Sequence, residues 1–339
     1  MRAAVVRAPR QLRIEDVDEP KVGNHDVLVR IRATAICGTD VEIIKGKGGA
    51  KFPVIPGHEF AGVIERVGPQ VTVFKPGDRV VGNPAIFCGK CFWCRKGLQN
   101  LCVYGGLMGR ERDGAFAEYA SIPESNVFKL PDEVSFEEAT IITTLTTVLH
   151  SNRLINIFPE SSVAIVGSGF VGLLHVQLAK LRGARPIIAI TRSKWKLELA
   201  EKLGADVTIR AGDKNLLSKV KEITGDIGVD LAIEAVGDPT TLSRCVELVR
   251  PGGKVLFFGI SSDKAGDLNL FPFYYKQLSI LGSKANLTED WEPSIQMVAT
   301  GKIDVKQLIT QEIPFEELQK GLEMFEDTNV HSIRIITTQ

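Results

Sequence analysis

"SVAIVGSGFVGLLHVQLAKLRGARPIIAIT", Ser162 to Thr191, sets the architecture of this 339-residue chain. "SVAIVGSG" reads as a buried strand that runs into a glycine turn, "FVGLLHVQLAKLRGA" has helical apolar spacing, and "PIIAIT" is the next strand. The alternation continues downstream. "KWKLELAEKLGA" reads as a helix ending at Gly204, "VDLAIEAVG" as a strand, "TTLSRCVELVRPGG" as a helix ended by Pro-Gly-Gly, and "KVLFFGI" as a strand. Strand and helix alternating in this way build an α/β fold, a doubly wound parallel sheet with helices on both faces.

Gly167, Gly169 and Gly172 within that opening stretch form G-x-G-x-x-G between a strand and a helix. In that context the pattern is a phosphate cradle: the first glycine permits the tight turn, the second lets backbone approach a pyrophosphate, and the third allows close helix–strand packing. Phe170 and Val171 open the helix, whose N-terminus faces the anion. About twenty residues on, an acid would accept hydrogen bonds from the adenosine 2′-hydroxyl of NAD. Here the chain has Thr191, then Arg192, Lys194 and Lys196. No acid is present to repel a 2′-phosphate, and Arg192 can pair with one bidentately, which leans toward NADP(H) over NAD(H). The alternative for these bases is a solvated face at the start of a helix.

Upstream of about Pro159 the pattern differs. Short β-branched runs such as "DVLVRIRATAI", "AGVIERVG" and "DRVVG" are separated by Gly, Pro and Asp, as in a mostly β domain. After "LSILGS" come a helical stretch near Thr288 to Thr300, another at "FEELQKGLEMFED", and a closing strand "SIRIITT" with no helix after it. The reading is a discontinuous β domain, residues 1–159 and 288–339, around a dinucleotide-binding domain of residues 160–287.

"CGKCFWCRKGLQNLC" places Cys88, Cys91, Cys94 and Cys102 in one polar loop with spacing C-x2-C-x2-C-x7-C. Four soft thiolates at that spacing suit a tetrahedral zinc, and a closed set of protein ligands leaves no position for water or substrate. This is a clasp, so the chemistry lies elsewhere. "AICGTDVEI" and "PVIPGHEFAGVI" supply other candidates: the thiol of Cys37, with Thr39 and Asp40 beside it, and the imidazole and carboxylate of His58 and Glu59. A lone Cys or His is more often a core residue than a ligand, but both sit here in tight, polar turns.

With these motifs assembled, the chain resembles the zinc-dependent medium-chain dehydrogenases, the group of alcohol, sorbitol and threonine dehydrogenases. "CGTD", "GHEFAGVI", "KPGDRV", the four-cysteine lobe, "GAFAEYA", the glycine loop and "PGGKV" occur in the family's order over essentially the whole chain. The resemblance implies a GroES-like β domain joined to a Rossmann domain, with substrate and nicotinamide meeting between them. It implies Cys37 and His58 as ligands of a catalytic zinc, with Glu59 at or near the metal. Thr39 would take the alcohol proton, Asp40 would orient a ligand imidazole, and the four cysteines would form the structural zinc site. Two positions depart from the pattern. The family's third ligand falls at Thr143, a poor zinc donor, and Glu42 stands where many relatives carry a histidine. His150 aligns with a position that is not a ligand, so core packing is its expected role.

The implied activity is hydride transfer between a secondary alcohol, of a polyol or sugar derivative, and a nicotinamide cofactor. Alternatives are a reductase with structural zinc only, or oxidation of a threonine-like amino alcohol. Lys+Arg and Asp+Glu each total 41, so no global field attracts nucleic acid. "MRAAVVRAPRQLRIEDV" reads as a strand instead of a leader, and no apolar run suffices for a membrane span. Six cysteines, four at metal spacing, suit a reducing cytoplasm. The apolar edge "KVLFFGI" and "LSILGS" suits pairing into a homodimer or homotetramer.

Overall fold

A computed structural model describes residues 1–261, 264 and 268–339. The chain divides into two compact units. Unit 1 comprises Met1–Thr146, Leu287–Gly301 and Val305–Gln339, and unit 2 comprises Thr147–Asn286 and Lys302–Asp304. The first division falls within the helix Phe136–Ile155.

Unit 2 holds a six-stranded sheet with every neighbouring pair parallel. Its strands are Val163–Val166, Ile187–Thr191, Val207–Arg210, Val229–Glu234, Val249–Phe257 and Ser279–Gly282. From edge to edge they run third, second, first, fourth, fifth, sixth. The order reverses between the first and fourth strands, and in such sheets the ligand crevice lies outside the carboxyl ends at that switch point. Ala164, Val166, Ile188, Ile190 and Val255 are fully or nearly fully buried beneath the flanking helices.

Among the differences from the sequence expectation, two concern the parallel sheet. The third strand, Val207–Arg210, was not anticipated. The helix expected to run to Pro-Gly-Gly stops at Leu248, because Val249 is already extended and begins the fifth strand. The turn of Pro251–Gly253 is absorbed in that strand as an irregularity, with Val229 opposite Val249 and Leu231 opposite Lys254. Arg250 Nε anchors it by donating to Asp230 Oδ1 at 2.7 Å.

Unit 1 is built on a seven-stranded sheet in which Asp26–Ala35 is the longest member. That strand pairs antiparallel with Phe60–Val67, with Tyr119–Pro123 and with the closing strand Arg334–Thr338. Val27, Val29, Ile31, Phe60 and Ile64 fill the core on one side. The register puts Thr34 opposite Phe60 and Ala35 opposite Ile336, and Ala35 N–H donates to Glu59 O at 2.8 Å. Cys37, His58, Glu59 and Arg334 therefore emerge from adjacent strand ends.

The glycine loop of unit 2 leaves no slack at its third glycine. A Cβ on Gly172 would stand 1.7 Å from the carbonyl oxygen of Gly167. Gly172→Ala is expected to lower the unfolding free energy by about 1–3 kcal/mol or more, since backbone must shift to admit it. Urea denaturation of the variant beside the parent measures this.

Candidate active site and metal centres

Asp40 organises the first cluster. The helix Gly38–Ile44 starts after Cys37, and Asp40 Oδ2 reaches back to accept the Cys37 backbone N–H at 2.9 Å. Its other oxygen accepts Gly57 N–H at 3.1 Å and His58 Nδ1–H at 3.0 Å. Asp40 is wholly buried. Gly57 has φ +94, and a Cβ there would lie 2.6 Å from Phe116 N, so only glycine allows the turn that delivers His58.

With Nδ1 engaged, the His58 Nε2 faces the cluster interior. Cys37 Sγ, His58 and a Glu59 carboxylate oxygen supply ligand atoms that all lie within 4.8 Å of one another. Sulfur, imidazole nitrogen and carboxylate oxygen are the donor types zinc takes. Thr39 Oγ1 is 3.8 Å from Cys37 Sγ. Burial alone would raise the Cys37 thiol, but the charge and hydrogen bond of His58, with Arg334 behind it, bring it down to about 6. Burial opposes the charged form of His58, yet Asp40 and Cys37 outweigh it and hold the imidazole up at about 10.

Two partners of this cluster were not anticipated from the sequence. Arg334, buried at the head of the closing strand, pairs with Glu59 Oε2. Thr144 Oγ1–H donates to Glu59 Oε1 at 2.9 Å. Arg334 carries a signal, a single charge inside the apolar run "SIRIITT", whereas Thr144 is one of several helical threonines and carries none. Charges also balance. With His58 neutral, the Cys37 thiolate and the Asp40 and Glu59 carboxylates exceed the charge of Arg334 by two, which one divalent cation would match.

Thr143, one residue from Thr144, is buried on the same helix, and its carbonyl accepts Thr146 Oγ1–H at 2.7 Å. His150 is buried further along the helix and is not among the gathered ligand atoms. Glu42 is also outside the cluster and pairs with Lys47 Nζ at 3.5 Å.

Cys88, Cys91, Cys94 and Cys102 form the second cluster. Their sulfurs stand 4.0 Å (Cys88–Cys94), 3.5 Å (Cys91–Cys94) and 3.9 Å (Cys91–Cys102) apart, and all are free thiols. Four sulfurs about 2.3 Å from a shared zinc define a tetrahedron with an edge of about 3.8 Å, so the spacing fits that ion. A disulfide would need about 2 Å. The Cys91 and Cys88 thiols are lowered first by backbone N–H donors, at Cys94 and Lys90 respectively, whereas burial and then the neighbouring sulfurs raise Cys94.

In unit 2 the strand Val163–Val166 ends at Gly167, φ +104, and Gly169 precedes the helix Phe170–Leu181. A Cβ on Gly169 would meet nothing within 4 Å, which leaves room for a ligand's phosphates against the backbone. Phe170 and Val171 form the first helical turn. Thr191 closes the second strand, half-buried, and Arg192 is exposed. Lys196 lies with its Nζ 5.2 Å from the Trp195 ring centroid, and burial followed by the charge of Arg192 lowers its pKa.

Comparison with known proteins agrees with this geometry. Residues 23–132 match the alcohol dehydrogenase GroES-like domain and residues 171–300 the zinc-binding dehydrogenase domain. The chain belongs to the zinc-dependent medium-chain dehydrogenase family. It is 35% identical to a sorbitol dehydrogenase of Bacillus subtilis, covering 95% of this chain and 93% of that protein. To an L-threonine 3-dehydrogenase of Pseudoalteromonas translucida it is 36% identical over 91% of both chains. A Sinorhizobium meliloti structure assigned to the zinc-binding dehydrogenases and bound to NADP superimposes with TM-score 0.92 at 32% identity, covering 100% of this chain and 99% of that one. The protein is thus a dehydrogenase of GroES-like and Rossmann architecture. Among the described residues no helix is long and apolar enough to cross a membrane.

The protonation states of the first cluster set how it takes up metal. Between pH about 6 and about 10 Cys37 is already thiolate, and His58 must lose one proton before Nε2 can coordinate. Zinc affinity at this site is expected to rise about tenfold per pH unit across that window, with about one proton released per ion. Below it the dependence steepens as Cys37 also gains a proton. Calorimetry of zinc binding in buffers of different ionisation enthalpy measures the release, and a pH-independent affinity would contradict the assignment.

Proposed function

We propose that the protein interconverts a secondary alcohol of a polyol or sugar derivative and its ketone, with NADP(H) favoured over NAD(H). The gathering of Cys37, His58 and Glu59 around one point, with Thr39 alongside, carries this reading. A zinc ion held by these donors would supply Lewis acidity toward the alcohol oxygen, and a nicotinamide held at the glycine loop would accept the hydride. Asp40 keeps the His58 Nδ1 proton in place and so presents Nε2. Arg334 and Thr144 hold the two oxygens of Glu59 in position. The Thr39 hydroxyl takes the proton that the alcohol loses as hydride leaves its carbon, and passes its own proton outward. The four-cysteine cluster, with every position filled by protein, serves as the structural site.

For cofactor choice, the support is the absence of an acid at Thr191 with Arg192 following it. A threonine-like amino alcohol is the second reading, favoured by the likeness to L-threonine 3-dehydrogenases. All six cysteines are free, which suits a reducing cytoplasm. Ile260, Phe271, Tyr274 and Tyr275 expose apolar surface on unit 2, and Ser279–Gly282 is an edge strand, which supports assembly into a homodimer or homotetramer.

A panel of polyols, sugar phosphates and L-threonine, each with both cofactors and read by nicotinamide absorbance, tests the reading. Turnover of polyols with NADP is the expected result, turnover of L-threonine alone selects the second reading, and absence of any turnover rejects both. Among the described residues the first cluster gathers three strong protein donors against four in the lobe, so chelator is expected to remove its zinc before the lobe's, with activity falling in step. Thr143→Glu, which places a carboxylate next to Thr144, is expected to slow that loss roughly ten- to a hundredfold. Full activity with the lobe zinc alone would point instead to a dehydrogenase that uses only structural zinc.

A further inference from the structure

We propose that Arg210, on the third strand of the parallel sheet, is a specificity-determining residue that grips the adenosine 2′-phosphate together with Arg192. This inference rests on the NADP reading above. Its basis is the sheet register. Thr191 and Arg210 are directly paired across the second and third strands, at their carboxyl ends. Paired residues on neighbouring strands project to the same face about 5 Å apart. The position next to Thr191 is where a dinucleotide of this fold places its ribose 2′ substituent. Arg210 stands beside that position although it lies far from the glycine loop in sequence.

Charge and space agree with the register. A depression of about 770 Å³ is lined by Arg192, Arg210 and Lys219 on its basic side, with Thr208, Gly212 and Asp213 completing it. Asp213 is the only acid in that lining, and it is already engaged. Its Oδ2 takes Lys219 Nζ at 2.6 Å and its Oδ1 takes the Asn215 N–H at 2.8 Å. Arg210 Nη2 donates to the backbone carbonyl of Arg192 at 3.5 Å, which brings the two residues together. Among the described residues no carboxylate forms an ion pair with either arginine. The charge of Asp238 reaches Arg192, but that carboxylate is already engaged by the Thr240 N–H and hydroxyl, and a dianion between the two neighbouring guanidinium groups would relieve their mutual repulsion while accepting two planar forks. A 2′-hydroxyl, neutral and with a single oxygen, would gain much less from these forks.

The test compares binding of 2′,5′-ADP with 5′-AMP by calorimetry, and kcat/KM for NADP with that for NAD, in the parent, Arg192→Ala, Arg210→Gln and Arg210→Lys. Arg210 is exposed, so the variants are expected to keep the parent's melting temperature. The parent is expected to bind 2′,5′-ADP more tightly than 5′-AMP. Arg210→Gln is expected to cut that advantage by about ten- to a hundredfold, leave 5′-AMP affinity unchanged, and shift the NADP-to-NAD ratio equally, as for loss of a charge-assisted contact. Arg210→Lys should recover part of the loss. A parent that does not distinguish the two nucleotides would reject the NADP reading itself. A parent that does distinguish them, with the advantage intact in Arg210→Gln, would leave that reading standing and overturn the role of Arg210. Equal weakening of both nucleotides in Arg210→Gln would also overturn it.

Discussion

One buried carboxylate holds the candidate site of unit 1 in register. Asp40 accepts three N–H groups, from the Cys37 backbone, the Gly57 backbone and the His58 ring, and so ties a helix start to a turn that is distant in sequence. A buried acid with fewer donors would be costly, and one with three is well satisfied. Placing Cys37 and setting the His58 ring are accomplished by the same group. Loss of this anchor would therefore disturb both ligand atoms at once, although Asp40 is not itself among the gathered ligands.

The two metal centres solve opposite electrostatic problems. In the cysteine lobe four thiols are crowded together, and as thiolates their charge would fall on a bound cation. In the cluster around Cys37, the protein supplies its own cation in Arg334 and can offer a second in protonated His58. The first arrangement demands metal for its geometry. The second keeps its geometry through hydrogen bonds and would leave a bound ion free to meet a substrate.

Much of this was legible in the sequence, for identifiable reasons. The parallel sheet could be read because its inner strands, Val163–Val166, Ile187–Thr191 and Val229–Glu234, are buried and form continuous apolar runs between helices. Val207–Arg210 escaped notice because it is four residues long, only Ile209 is fully buried, and it ends in charge. The end of the helix at Leu248 was displaced because Pro251–Gly253 signals a turn whether it follows a helix or, as here, lies within a strand. In the site, Cys37, His58 and Glu59 were visible as reactive residue types in tight polar turns. Arg334 left only a lone charge in an apolar run, whose partner depends on strand register, and Thr144 left no local pattern, since its importance comes from helix placement.

The pairing of Arg334 with Glu59 also has a temporal aspect. The ribosome emits a chain from its N-terminus, and domains form as they emerge. Cys37, Asp40, His58 and Glu59 are made early, all the residues of unit 2 follow, and Arg334 comes after them. Were these early residues to meet before the closing strand is made, their acids would lack the guanidinium that later balances one of them. A divalent ion captured then would meet a more negative site than the finished one, so metal acquisition during synthesis and metal exchange afterwards are chemically distinct events.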